Sequence, residues 1–118
     1  MEIRILMVDD DEIILKIQQR LFSKFLNVQI ITSTSAENAL EILQNGVFDL
    51  LIVDQLLPRM TGLQLIAYLK KIGNPIPAIL FTGNAQKDQR MPNVRVIEKT
   101  CGEKALIATI NELIGVKL

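Results

Sequence analysis

Residues 50–53, Leu-Leu-Ile-Val, put four apolar side chains in consecutive positions, and the run stops at Asp54. Successive side chains of a strand point to opposite faces, so this segment is apolar on both and fits the centre of a parallel sheet covered by helices on each side. The rest of the chain supplies matching parts. Ile3 to Val8 is a similar run ended by Asp9-Asp10-Asp11, and Val28 to Thr32, Ala78 to Phe81 and Val94 to Ile97 read as three more strands. Glu12 opens a helix whose Ile14, Ile17, Leu21 and Phe25 recur near the helical period, with Asn27 as the stop. Thr34-Ser35-Ala36-Glu37 is a capping-box pattern that predicts Thr34 as the cap of a helix running through Ala39, Leu40 and Leu43 to Asn45-Gly46. Leu63, Ile66 and Leu69 carry a helix to Gly73-Asn74-Pro75. Thr100-Cys101-Gly102-Glu103 repeats the capping pattern, with Thr100 as the expected cap, before Leu106, Ile107, Ile110, Leu113 and Ile114.

Strand–helix alternation implies right-handed crossovers and an open parallel α/β sheet with helices on both faces. A chain of 118 residues suits one such domain, spanning 1–118. Its apolar stretches are far shorter than the roughly 20 residues of a membrane span, and Met1 leads into a strand-like segment without the features of a secretory signal. The expectation is a soluble, cytoplasmic protein. The single Cys101 forms no internal disulfide and builds no multi-thiolate metal site. Thirteen basic residues balance thirteen acidic ones, so the charge excess that drives nucleic-acid binding is missing. There is no histidine, which leaves carboxylates, Lys, Ser, Thr and backbone groups to carry any chemistry.

Open α/β sheets bind ligands beyond the carboxyl ends of their strands. Those ends carry Asp9, Asp10 and Asp11 from the first strand, Asp54 from the third, Thr82 from the fourth and Lys99 from the fifth. Carboxylates meeting there repel one another by about 4 kcal/mol per pair at about 4 Å and an effective dielectric near 20. A hard divalent cation offsets this, and magnesium favours one or two carboxylates, retained waters and a phosphate oxygen. Asp54 is then a carboxylate nucleophile able to form an acyl phosphate, while the cation and the Lys99 ammonium stabilise charge on the transferring group. Thr82 supplies a hydroxyl to the phosphoryl group once attached. Asp11 reads as a first-turn acid of the helix that follows, and Cys101 as a bystander.

Met-Val-Asp-Asp-Asp at 7–11, Leu-Ile-Val-Asp-Gln-Leu-Leu-Pro-Arg-Met-Thr-Gly at 51–62, Leu-Phe-Thr-Gly at 80–83 and Ile-Glu-Lys at 97–99 together resemble the response-regulator receiver domain of two-component signalling, over essentially the whole chain. The resemblance implies a flavodoxin-like, doubly wound fold with strand order 2-1-3-4-5. It implies Asp54 as phosphoacceptor, Asp9, Asp10 and Asp54 with the Leu56 backbone carbonyl as ligands of Mg2+, Thr82 as switch hydroxyl and Lys99 as phosphate-contacting lysine. It also implies a phosphoryl donor, a histidine kinase or histidine-phosphotransfer protein docking on the first helix and the loops around Asp54, and a signalling role rather than enzymatic turnover. No direct nucleic-acid or membrane contact is expected.

Three features depart from the family pattern. Thr100 stands where the family has a proline joined by a cis peptide; cis costs about 2.5–4 kcal/mol without proline, so a trans bond or visible strain is expected. Val96 replaces an aromatic switch residue, and the segment between Thr82 and Lys99 is poor in helix formers, which predicts a fourth helix that is shortened or absent. Output by a small local change follows. These departures also motivate an alternative, a degenerate receiver that binds partners without phosphorylation. A haloacid-dehalogenase-type phosphatase, suggested by Asp9-Asp10-Asp11, leaves Asp54 unexplained and needs a longer chain, and a nucleotide-binding flavodoxin-like domain lacks a glycine-rich loop after the first strand.

Overall fold

The computed structural model describes residues 2–83 and 91–118. Five parallel strands, β1 (Ile3–Val8), β2 (Val28–Ser33), β3 (Leu50–Val53), β4 (Ala78–Thr82) and β5 (Val94–Glu98), form one sheet in the order β2-β1-β3-β4-β5. Four helices are described: α1 (Glu12–Phe22), α2 (Ala36–Gln44), α3 (Gly62–Lys71) and α4 (Glu103–Ile114). This is the doubly wound arrangement expected. The predicted shortening of a helix between β4 and β5 falls on residues 84–90, outside those described.

Strand alternation sorts the apolar side chains into two cores. Leu6, Val8, Leu51, Val53, Ala78, Leu80 and Val94 face Ala36 and Ala39 of α2 and Leu65, Ile66 and Leu69 of α3. On the opposite face Ile3, Ile5, Met7, Leu50, Ile52, Ile79 and Phe81 meet Leu15 and Phe22 of α1 and Leu106 and Ile110 of α4. All four β3 side chains are buried, as the run at 50–53 requires. Each fully buried Leu or Ile contributes about 1.5–3 kcal/mol. The sheet interior therefore holds the strand ends rigidly.

The helix starts and stops differ in detail from the sequence reading. Asp11 is the N-cap of α1, its carboxylate accepting from the Ile13 N–H at 2.9 Å, which refines its reading as a first-turn acid. The helix ends at Phe22 rather than reaching Asn27, because the Ser23 hydroxyl and N–H both donate to the Arg20 carbonyl and Phe25 turns back, its ring centroid 6.3 Å from that of Phe22. Ser35, not Thr34, caps α2 and accepts from the Asn38 N–H, a one-residue shift that puts Ala36 and Ala39 in the core. Thr100 does not cap α4. The N-cap is Gly102, at φ +85°, with no side-chain cap bond. The chain continues in the ladder past β5 through the Lys99 N–H, which donates to the Thr82 carbonyl at 2.7 Å, and turns only afterwards. That turn needs a left-handed residue, which glycine supplies without a Cβ clash. The Lys99–Thr100 peptide is trans, as expected.

Candidate metal and phosphoryl site

The carboxyl ends of β1, β3 and β4 and the segment after β5 bring Asp9, Asp10, Asp54, Thr82 and Lys99 to one edge of the sheet. Asp9 follows β1 in register with its neighbours, its N–H donating to the Ser33 carbonyl at 3.1 Å, and Asp54 follows β3, its N–H donating to the Val8 carbonyl at 2.9 Å. These ladder bonds aim both side chains past the sheet. Asp9 and Asp54 are 3% and 7% exposed, whereas Asp10 is exposed. Each of the three offers a carboxylate oxygen within 4.8 Å of the others.

The Lys99 ammonium, on a side chain 23% exposed, lies 2.8 Å from Asp9 Oδ2 and 3.3 Å from Asp54 Oδ2. Asp9 Oδ1 accepts from the Asp11 N–H at 2.9 Å. Three ionised carboxylates and one ammonium sum to two negative charges, which a dication would neutralise. Burial pushes the Asp54 carboxyl above its ordinary value, the Asp9 charge adds to this, and Lys99 and the Leu56 N–H offset it in part. Burial works against the charged form of Lys99, but the hydrogen bond and charge of Asp9, with the charge of Asp54, raise its affinity for the proton overall. Three hard oxygen donors and a surplus of negative charge suit magnesium. Thr82 is buried at the end of β4.

The five side chains singled out from sequence thus converge, and Leu56 lies in the loop after Asp54. Gln55 of that loop and Gly62 at the start of α3 belong to the 51–62 motif, but their structural roles were not visible in the sequence. A Cβ on Gly62 would lie 2.4 Å from the Asp54 carbonyl oxygen and 2.8 Å from Leu80 Cδ1, so α3 can start against β3 only with glycine there. Gln55 accepts from the Gly62 N–H at 3.1 Å with its carbonyl and from the Leu63 N–H at 2.9 Å with Oε1. Thr61 caps α3 in a capping box with Gln64, a Thr-x-x-Gln signal present in the sequence. Among the described residues no helix is long and apolar enough to cross a membrane.

A five-stranded parallel sheet of this order defines the doubly wound, flavodoxin-like class, and residues 5–111 match the response regulator receiver domain family, to which the chain belongs. It is a receiver domain of a two-component system. It is 30% identical over 95 residues to the uncharacterized transcriptional regulatory protein YbdJ of Bacillus subtilis, covering 80% of this chain and 41% of that protein. It is 25% identical to the response regulator SaeR of Staphylococcus aureus, covering 93% of this chain and 50% of that one. The chain therefore spans about half the length of the curated relatives it matches. Among solved structures, the signal receiver domain of an HD domain-containing protein from Pseudomonas fluorescens superposes with a TM-score of 0.86 at 27% identity, covering 97% of this chain and 88% of that one. The response regulator TrrA from Thermotoga maritima, solved with Mg(2+)-BeF, gives 0.84 at 25% identity, covering 96% and 99%.

Proposed function

We propose that this receiver domain accepts a phosphoryl group on Asp54 from a phosphohistidine donor in a magnesium-dependent reaction. The observation that carries the reading is the meeting of Asp9, Asp10 and Asp54 within one donor set, with Lys99 against the two buried acids. Asp9, Asp10, Asp54 and the Leu56 carbonyl would hold the cation. Bound there, magnesium supplies charge neutralisation to the phosphoryl oxygens.

The remaining work falls to the chain's own groups. An Asp54 carboxylate oxygen attacks phosphorus, the donor's P–N bond breaks, and its electron pair leaves on the imidazole nitrogen, giving an acyl phosphate. Burial keeps water away from Asp54. Lys99 lies close enough to Asp54 to follow its charge onto the phosphoryl oxygens, and the Thr82 hydroxyl, buried at the adjacent strand end, donates to a second oxygen. Residues 1–118 contain no histidine, so the phosphohistidine lies outside this domain. Ile13, Ile17 and Leu56, exposed at 69%, 55% and 76%, flank the acids in sequence and offer apolar contacts for a histidine kinase or histidine-phosphotransfer protein. Residues 1–118 make one receiver unit in this reading.

Intact mass after treatment with a small phosphodonor and magnesium tests it: one added phosphoryl group is expected, lost in chelator and in Asp54→Asn. Undiminished labelling of that variant would remove Asp54 from its role. Transfer from none of a complete set of cognate kinases would favour a phosphorylation-independent interaction module.

A further inference from the structure

Helices begin with backbone N–H groups that have no partner within the helix, and a neighbouring acceptor that takes one also ties the helix start to itself. In α3 the first three such donors are Gly62, Leu63 and Gln64. Gln64 is served by the Thr61 hydroxyl at 3.1 Å. The other two converge on Gln55, Gly62 on its carbonyl and Leu63 on its side-chain Oε1. The same Gln55 carbonyl accepts from the Leu57 N–H at 3.2 Å, closing a three-residue turn with Leu56 at its apex. The Leu56 peptide is thereby held at both ends by Gln55.

We propose that Gln55 is a positioning residue for the metal: by clamping the start of α3 to the turn at Leu56, it aims the Leu56 carbonyl at the aspartate cluster and so sets the affinity for magnesium. The inference rests on the reading of that carbonyl as a ligand. The clamp has two parts, and only the carbonyl part is available to every residue type. The bond from Leu63 needs a side chain that crosses the loop to an amide eight residues onward and ends in a strong acceptor, which Gln and Glu provide and Met, with only a weakly accepting thioether, does not. Without it the turn stays tethered through Gly62 alone and can swing. The Gln55 side chain is engaged by the Leu63 N–H of α3, and partners that orient a ligand commonly change metal affinity by about 10–100-fold when removed.

The test compares Gln55→Met, Gln55→Glu and Gln64→Met with the unsubstituted chain, reading the magnesium dissociation constant by calorimetric titration, the magnesium dependence of labelling by a small phosphodonor, and the melting temperature. Gln64→Met is the control for a lost cap, because its side chain serves the Thr61 N–H of the same helix at 2.9 Å without reaching the turn. Both methionine variants should melt lower. Only Gln55→Met should bind magnesium about tenfold more weakly, with labelling restored at high magnesium. Gln55→Glu keeps the acceptor and should bind at least as tightly as the parent. Equal magnesium affinity in Gln55→Met and the parent overturns the positioning role alone. No magnesium binding by the parent overturns the metal-dependent reading and this inference with it.

Discussion

The Lys99 ammonium donates to Asp9 at 2.8 Å and stands farther, at 3.3 Å, from Asp54, so the lysine after β5 is anchored on the acid that follows β1. The anchor neutralises the more deeply buried carboxylate and leaves Asp54 the more weakly paired of the two. Removing one member of a buried pair typically costs 3–5 kcal/mol, and partial exposure of Lys99 lowers this to about 2 kcal/mol. Lys99→Met should therefore unfold at lower denaturant concentration. Magnesium should recover more stability in that variant than in the parent, because the dication takes over the missing neutralisation. Equal magnesium increments in both chains would contradict the shared role.

Acid and base should act on the two groups with related signs. Lys99 binds its proton more tightly in the folded chain than its ordinary value of 10.5, so its contribution is complete below that value and is lost as pH rises through the higher, folded one. Asp54 also has a raised value, but for an acid this is a penalty on the ionised form: it is absent below 3.8, the ordinary value, and complete above the folded one. Asp54→Asn should consequently be more stable than the parent at pH 7, with the gain shrinking toward pH 4. Denaturant titrations at the two pH values check this, and a variant less stable at pH 7 would sink it.

Gly62→Ala should destabilise the chain by about 2–3 kcal/mol. The new Cβ meets backbone, the Asp54 carbonyl carbon and oxygen at 3.0 and 2.4 Å, rather than the end of a flexible side chain. Relief requires moving α3 or the phosphoacceptor loop. Chemical unfolding measures the loss, and the magnesium affinity should fall with it. A fully stable, metal-competent alanine variant would show that the loop is softer than its contacts imply.

Output should be local. Val96, which replaces an aromatic residue of the family pattern, is only partly buried and packs on the α2–α3 side of the sheet, so it offers no large ring to follow Thr82. Amide exchange with and without beryllofluoride should differ at 54–62 and 98–102. Broad changes along Glu103–Ile114 would instead support a switch transmitted through α4.

Strand interiors were legible because burial on both sheet faces leaves little besides apolar residues: Leu50 to Val53 and Ile3 to Val8 match their strands residue for residue. The site acids were legible because a doubly wound sheet exposes its ligands at strand ends, and Asp9, Asp54 and Lys99 stand there in chain order. Helix caps were less so. Thr34 and Ser35 both suit a cap chemically, and the choice fell to Ser35 because that start buries Ala36 and Ala39 against the sheet. Thr100 carries the right pattern too, yet the Lys99 ladder bond delays the turn until Gly102.

By itself the sequence determined the fold class, the alternation of strands and helices, and which polar residues lie at the strand ends, since each follows from local periodicity and from where apolar runs stop. Only the tertiary structure decided that Lys99 pairs more closely with Asp9 than with Asp54, that Gly62 must lack a side chain, and that Gln55 serves two amides of α3. Those relationships join groups brought together by strand register and helix packing, and no pattern along the chain encodes the distance between them.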